Sequence, residues 1–156
     1  MKHEEFNMSN EQEEFEQIRQ LKSRYFRQMD CKEWDAWEHC FTEDVEAVYE
    51  GIPRAAREDD YKQFALQGRS ELVNGVKGLL AHPVKSMHQG FMPELRLTSE
   101  TTATGIWAMF DHLKLPICDF KGWGHYHEEY EKVDGQWKIK KIHLTRLHIE
   151  ETWHGM

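Results

Sequence analysis

From Val84 almost to the C-terminus the chain keeps a two-residue alternation of apolar and polar side chains, and no other feature limits its fold as severely. Period two is the repeat of a β-strand that buries one face. Four stretches carry it: Val84 to Leu97, Thr101 to Leu115, Gly122 to Val133 and Gln136 to Ile149. Between the last two lies Asp134-Gly135, a dipeptide that tolerates the positive φ angles of a two-residue hairpin turn. The stretches therefore read as long antiparallel strands.

Upstream the period is that of a helix. Ser9 and Gln12 have capping-box spacing and Glu11, Glu13 and Glu14 follow at once, so a helix is expected from near Asn10. Phe15, Ile18, Leu21, Tyr25 and Met29 give it one apolar stripe. Asp30 and Glu33 repeat the capping pattern and Trp34, Trp37, Cys40 and Phe41 continue a stripe, which predicts a second helix set off by a bend at Asp30. A short strand is expected over Asp44 to Tyr49, closed by Gly51 and Pro53. Ile52 to Arg69 has weak periodicity and reads as a lid or insertion. Ser70 is expected to cap a third helix bearing Leu72, Val73, Val76, Leu79 and Leu80, where Gly75 and Gly78 each cost about 1 kcal/mol unless they pack closely on a sheet. Helices first and strands afterwards signal an α+β fold. The expectation is one domain over 1–156, core about 10–149, with three N-terminal helices covering one face of a curved antiparallel sheet.

At 156 residues the chain can bury roughly 70% of its unfolded surface, enough for a core and a pocket. Against 20 basic residues stand 28 acidic ones, a formal net charge of -8, which argues against a nucleic-acid or anionic-membrane partner. No apolar run approaches the roughly 18 residues of a spanning helix and the acidic start does not resemble a secretory signal, so a cytoplasmic location is expected. Three cysteines without C-x-x-C spacing encode neither a disulfide framework nor a zinc ribbon. His125 and His127 share a strand face without a third ligand at useful spacing, and phosphate loops and dinucleotide fingerprints are absent. No metal and no cofactor are expected.

Alternation places Trp107, Met109 and Asp111 on one face of the second long strand and Ile106, Ala108, Phe110 and His112 on the other. Both faces are largely apolar, so the sheet needs the helices on one side and, by expectation, another copy of the chain on the other. If the Trp107 face is the inner one, Asp111 lies at the bottom of an aromatic pocket walled by Trp107 and Met109; otherwise it is a solvated strand end. His88, in phase with Gly90 and Met92, is either a satisfied strand histidine or a proton-transfer group. Arg146 follows Ile142 and Leu144 on one face, and either snorkels to an edge or pairs with Asp111. Tyr25 and Asp30 lie five residues apart, about 140 degrees on a straight helix, so both turn inward only if the chain bends there.

The segments KSRYFRQMDCKEWDAWEHCF, SMHQGFMPELRLTSETTATGIWAMFDHL and GWGHYHEEYEKVDGQWKIKKIHLTRL resemble the SnoaL-like branch of the nuclear transport factor 2-like superfamily over roughly residues 15 to 149. Within it the likeness is to the bile-acid 7-alpha-dehydratases and, more distantly, the scytalone dehydratases. The resemblance implies a cone-shaped barrel around a deep cavity, assembled as a homodimer or homotrimer through the outer sheet face. It also implies a catalytic set of Tyr25, Asp30, His88, Asp111 and Arg146. The implied activity is cofactor-independent dehydration or hydration of a cyclic apolar ketone or enone, with His88 moving the proton and Tyr25 holding the carbonyl. Isomerase or cyclase chemistry in the same pocket, or a non-catalytic binding domain, are the alternatives.

Overall fold

The structure is a computed structural model that describes residues 2–53 and 63–154, with only the backbone of residues 2–9. It contains α1 (Lys2–Asp30), α2 (Trp34–Trp37), a 3-10 turn (Glu38–Cys40), β1 (Phe41–Glu50), β2 (Gln63–Gln67), α3 (Arg69–Leu80), β3 (Lys85–Leu97), β4 (Thr102–Lys114), β5 (Cys118–Val133) and β6 (Gln136–Trp153). The six strands form one sheet in the order β2-β1-β6-β5-β4-β3. Neighbours run antiparallel except β1 and β6, which are parallel, a pairing that the long connection through β2, α3 and β3 to β5 allows. Across the concave face α1 packs on β3 and β6, and α3 packs on β1 and β2. The core lies between, where Ile18, Leu21, Tyr25 and Met29 of α1 are buried against the inward residues of the strands. This is the expected α+β architecture.

Several local expectations give way in the structure. The first helix starts at Lys2 and runs through Ser9, since no Gly or Pro interrupts the stretch before it. It ends at Asp30 in a Schellman turn: Glu33 N–H donates to Gln28 O at 2.8 Å, Lys32 N–H donates to Met29 O at 3.1 Å, and Lys32 takes φ 59°. Asp30 is thus a last residue and not an N-cap, and its carboxylate is left for another partner. The expected second helix is only the four residues of α2 and the 3-10 turn, because pairing with β6 already begins at Phe41. A register shift between Phe41 and Glu46 masks the alternation over the first residues of β1.

The region read as a lid contains the edge strand β2, paired to β1; residues 54–62 of it lie outside the described residues. Ser70 does not cap α3. Gly68 at φ 85° precedes the helix, and the Glu71 carboxylate reaches back to accept from Gln67 N–H at 2.9 Å. Gly75 does pack closely, since a methyl there would meet Leu66 and Phe64 of β2, whereas Gly78 faces open space. On β3 a bulge between Phe91 and Glu94 turns Met92 out at 92% exposure, so it does not share the face of His88 and Gly90.

Candidate active site

Asp30, His88, Asp111 and Arg146 come together at one end of the cone, and Tyr25 borders the same cavity. From the end of α1 the Asp30 carboxylate reaches β3. Its Oδ1 lies 2.7 Å from His88 Nδ1 and accepts from Ser86 Oγ at 2.8 Å, while Oδ2 accepts from the His88 backbone N–H at 2.8 Å. Three contacts from one strand hold the carboxylate and fix the ring. With Nδ1–H donating to Asp30, Nε2 is the free nitrogen, directed toward the cavity wall that contains Asp111.

Asp111 on β4 is buried and bound two-pronged by Arg146 of β6, Nη1 to Oδ1 at 2.6 Å and Nη2 to Oδ2 at 3.0 Å. Arg146 Nε also donates to Glu50 O at 3.0 Å. Between β4 and β6 lies β5, and the guanidinium crosses it at Gly122, the residue paired with Asp111. A methyl on Gly122 would meet both the guanidinium and the carboxylate. His88 Nε2 stands 4.0 Å from Asp111 Oδ2, close enough for the two charges to interact and too far for a hydrogen bond. Of the two carboxylates, Asp30 orients the imidazole and Asp111 faces its open nitrogen.

Tyr25 is fully buried and its hydroxyl lies 2.9 Å from that of Tyr49 on β1. Burial, then the neighbouring Tyr49 and Tyr126, push its pKa well above the usual phenol value, so it remains a proton donor. Burial likewise raises Tyr49 and Tyr126. The chain does bend where it is expected to, at the end of α1 after Asp30, but the bend is not what brings Tyr25 and Asp30 inward, because both lie on α1. Their divergence is used instead: Tyr25 reaches β1 on one side and Asp30 reaches edge strand β3 on the other.

The cavity is bounded by Tyr25, Tyr49, Tyr126, His88, Asp111 and Arg146 at its polar end, and by aliphatic side chains, among them Val76, Leu79 and Leu80 of α3, along its wall. Its volume is about 40 Å³, space for a few waters and not the deep hollow the resemblance implies. Trp107 and Met109 are not in its wall. Trp107 points deeper, donating from its indole N–H to Tyr130 Oη at 2.9 Å, and Met109 packs beside Arg146, whose Nη1 lies 3.6 Å from Sδ. Alternation correctly places them on the inner face, but there they are packed into the core. Tyr49 and Tyr126 border the cavity although the sequence does not single them out. Tyr49 carried a signal in the alternation Val45, Ala47, Tyr49; Tyr126 shows no sequence signal beyond its aromatic ring. His125 and His127 sit on β5 with ring centroids 6.3 Å apart, and among the described residues no group of three His, Cys, Asp or Glu is placed to hold a metal. Among the described residues no helix is long and apolar enough to cross a membrane.

The fold is shared with several solved structures. A putative scytalone dehydratase from Novosphingobium aromaticivorans is 22% identical, with 96% of this chain and 93% of that one covered at a TM-score of 0.75. The hexachlorocyclohexane dehydrochlorinase LinA-type3 from Novosphingobium barchaimii is 21% identical, covering 94% and 96% at 0.71. ActVI-ORFA from Streptomyces coelicolor is 14% identical, covering 86% and 97% at 0.66. The family model described as the SnoaL-like domain matches residues 10–143, most of the chain and all of the site except Arg146. By that match and by its helix-lined curved sheet, the chain belongs to the SnoaL-like domain family of the nuclear transport factor 2-like fold.

Proposed function

We propose that the chain is a cofactor-independent lyase, a dehydratase or in reverse a hydratase, acting on a cyclic and largely apolar ketone or enone of steroid- or polyketide-like type. The observation that carries this reading is the Asp30–His88 pair, whose free Nε2 borders a cavity shared with the buried Tyr25 and Tyr49 phenols. Two structures of the same fold bear the names dehydratase and dehydrochlorinase, both eliminations, which supports a small-molecule-processing enzyme of lyase type.

In the proposed reaction the substrate carbonyl accepts a hydrogen bond from Tyr25, whose hydroxyl is held by Tyr49. His88 Nε2 takes the proton from the carbon next to the carbonyl, and the electron pair passes into an enolate stabilised by Tyr25. The enolate re-forms the carbonyl and a carbon–carbon double bond while the C–O bond to the hydroxyl on the next carbon breaks. The proton on His88 returns to that hydroxyl, which leaves as water. Asp30 holds the imidazole on its Nδ1 side and stabilises the imidazolium, as an acidic partner does in other histidine-based sites. Asp111, fixed by Arg146, faces the Nε2–H so formed. Since the cavity holds about 40 Å³, far below the roughly 300–1,000 Å³ of a typical ligand pocket, a ring enters only as the side chains of the α3 wall yield.

The test is incubation of wild-type protein and His88→Ala with a panel of cyclic β-hydroxyketones, watched for conjugated-enone absorbance and for loss of water by mass. Removing the proton carrier is expected to slow turnover by about 10²-fold or more with the circular dichroism unchanged. Equal rates would eliminate His88 as the base, and a product of unchanged mass would indicate isomerisation instead. Assembly belongs to the same proposal: the outer sheet face exposes Phe91 and Ile106 and is expected to close a homodimer or homotrimer. Sedimentation equilibrium reads this, and a monomer at micromolar concentration would contradict it.

A further inference from the structure

A second charged pair lies below the cavity and takes no part in the chemistry above. Lys22 of α1 and Glu128 of β5 are fully buried, with Nζ 2.6 Å from Oε2. The other carboxylate oxygen of Glu128 accepts from Tyr130 Oη at 2.6 Å, and Tyr130 accepts from the Trp107 indole N–H at 2.9 Å. The ammonium sits 3.7 Å from the ring centroid of Tyr25 and 3.7 Å from that of Tyr126, with the Phe26 ring at 4.8 Å. Tyr25 and Tyr126 are two of the three phenols that border the cavity.

A buried ion pair adds little stability over a well-packed apolar replacement, because desolvation of both charges offsets their attraction. Its place behind two cavity phenols calls for another explanation. The ammonium lies against the ring faces of Tyr25 and Tyr126, so the pair brings its positive charge directly onto the phenols. A cation on a ring face is attracted to it and fixes its tilt. In a site without bulk water that charge also draws electron density from the phenol oxygen, which strengthens Tyr25 as a hydrogen-bond donor.

We propose that Lys22, anchored by Glu128, is a positioning residue: it clamps the Tyr25 and Tyr126 rings and polarises the Tyr25 hydroxyl toward the cavity. The inference deepens the proposed function, on which it rests only for its effect on turnover. The pair is a fixed background charge and exchanges no proton with substrate. Removing Lys22 alone would strand a buried carboxylate, so the informative variant is the neutral double replacement Lys22→Met with Glu128→Gln, which keeps volume and takes away both charges.

Protein labelled with ¹³C at tyrosine Cζ reports the polarisation directly, with the Tyr25 signal assigned by its loss in Tyr25→Phe. In the double variant the Tyr25 signal is expected to move upfield as the neutral phenol loses its polarisation, while circular dichroism stays that of the wild type. With a substrate that the wild type turns over, kcat is expected to fall about tenfold with KM little changed, the mark of an interaction made in the transition state. A Tyr25 signal at its wild-type position in a folded double variant overturns the inference whether or not any substrate is found. A wild type lacking turnover, with the shift as expected, counts against the proposed reaction and leaves the clamp standing. Should the double variant not fold, the wild type decides through ¹⁵N-lysine spectra: an ammonium signal for Lys22 at neutral pH with Overhauser contacts to the Tyr25 and Tyr126 rings is expected, and a neutral amine refutes the clamp.

Discussion

Replacing Gly122 by alanine tests whether the Asp111–Arg146 pair depends on a gap in β5. Arg146 reaches from β6 to β4 across one intervening strand, a span of two strand spacings or about 9.5 Å, and its guanidinium passes over the backbone at Gly122. The added methyl would lie 2.5 Å from Asp111 Oδ1 and closer still to Arg146 Nη1. Neither group can withdraw freely: the carboxylate is on a central strand, and Arg146 Nε is tied to Glu50 O. Overpacking alone costs roughly 1–3 kcal/mol. If the guanidinium is displaced, Asp111 stays buried without its counter-charge, which costs about 3–5 kcal/mol. A loss of about 2–4 kcal/mol is therefore expected, or a melting temperature lower by about 5–15 °C for a domain of this size. Thermal melts and urea titrations measure it, with Gly78→Ala as the control because its methyl meets nothing within 4 Å. A Gly122→Ala protein that melts with the wild type refutes the idea that the gap is needed.

The control carries its own expectation: Gly78→Ala removes a helix penalty and should raise stability by about 1 kcal/mol, whereas Gly75→Ala, whose methyl would meet Leu66 and Phe64, should lower the melting temperature. Tyr49→Phe leaves the buried Tyr25 hydroxyl without its partner and is expected to cost about 1–3 kcal/mol in urea unfolding; no loss would show that the phenol pair is not mutually dependent. Glu14 gives a pH effect. Burial pushes its carboxyl up, but hydrogen bonds from Lys132 and Trp137 outweigh this and hold its pKa below the ordinary 4.5. A depressed folded pKa means stabilisation that is complete above the unfolded value and lost as pH falls through the folded one. Glu14→Gln should therefore be less stable than wild type at pH 7 and converge with it in acid; a difference independent of pH would contradict the assignment.

The sequence shows the sheet and two of the site residues, Asp111 and Arg146, for the same reason. On β4 and β6 a two-residue period puts Asp111 and Arg146 among apolar inward neighbours, where a charge needs a partner, and each is the natural candidate for the other. His88 is less legible, since its role depends on a carboxylate 58 residues away, and Asp30 read equally well as a helix cap until the Schellman turn at Lys32 released it. Tyr25 lay in the apolar stripe of α1, visible as core but not as cavity. Trp107 and Met109 show the limit of face assignment: period two says which side of the sheet a residue faces, not how deep in the cone it lies. The β3 bulge at Met92 and the parallel β1–β6 pair arise from long-range strand geometry, which local periodicity does not encode.

The central claim is that His88, oriented by Asp30, moves a proton between carbon and oxygen of a guest whose carbonyl meets Tyr25. Its most direct measurement is deuterium uptake at the carbon next to the carbonyl during hydration of a cyclic enone in D₂O, followed by proton NMR for wild type, His88→Gln and Asp30→Asn. The account predicts uptake with formation of the β-hydroxyketone in the wild type, none above background in His88→Gln, and a reduced rate in Asp30→Asn. Uptake by His88→Gln at the wild-type rate would contradict it.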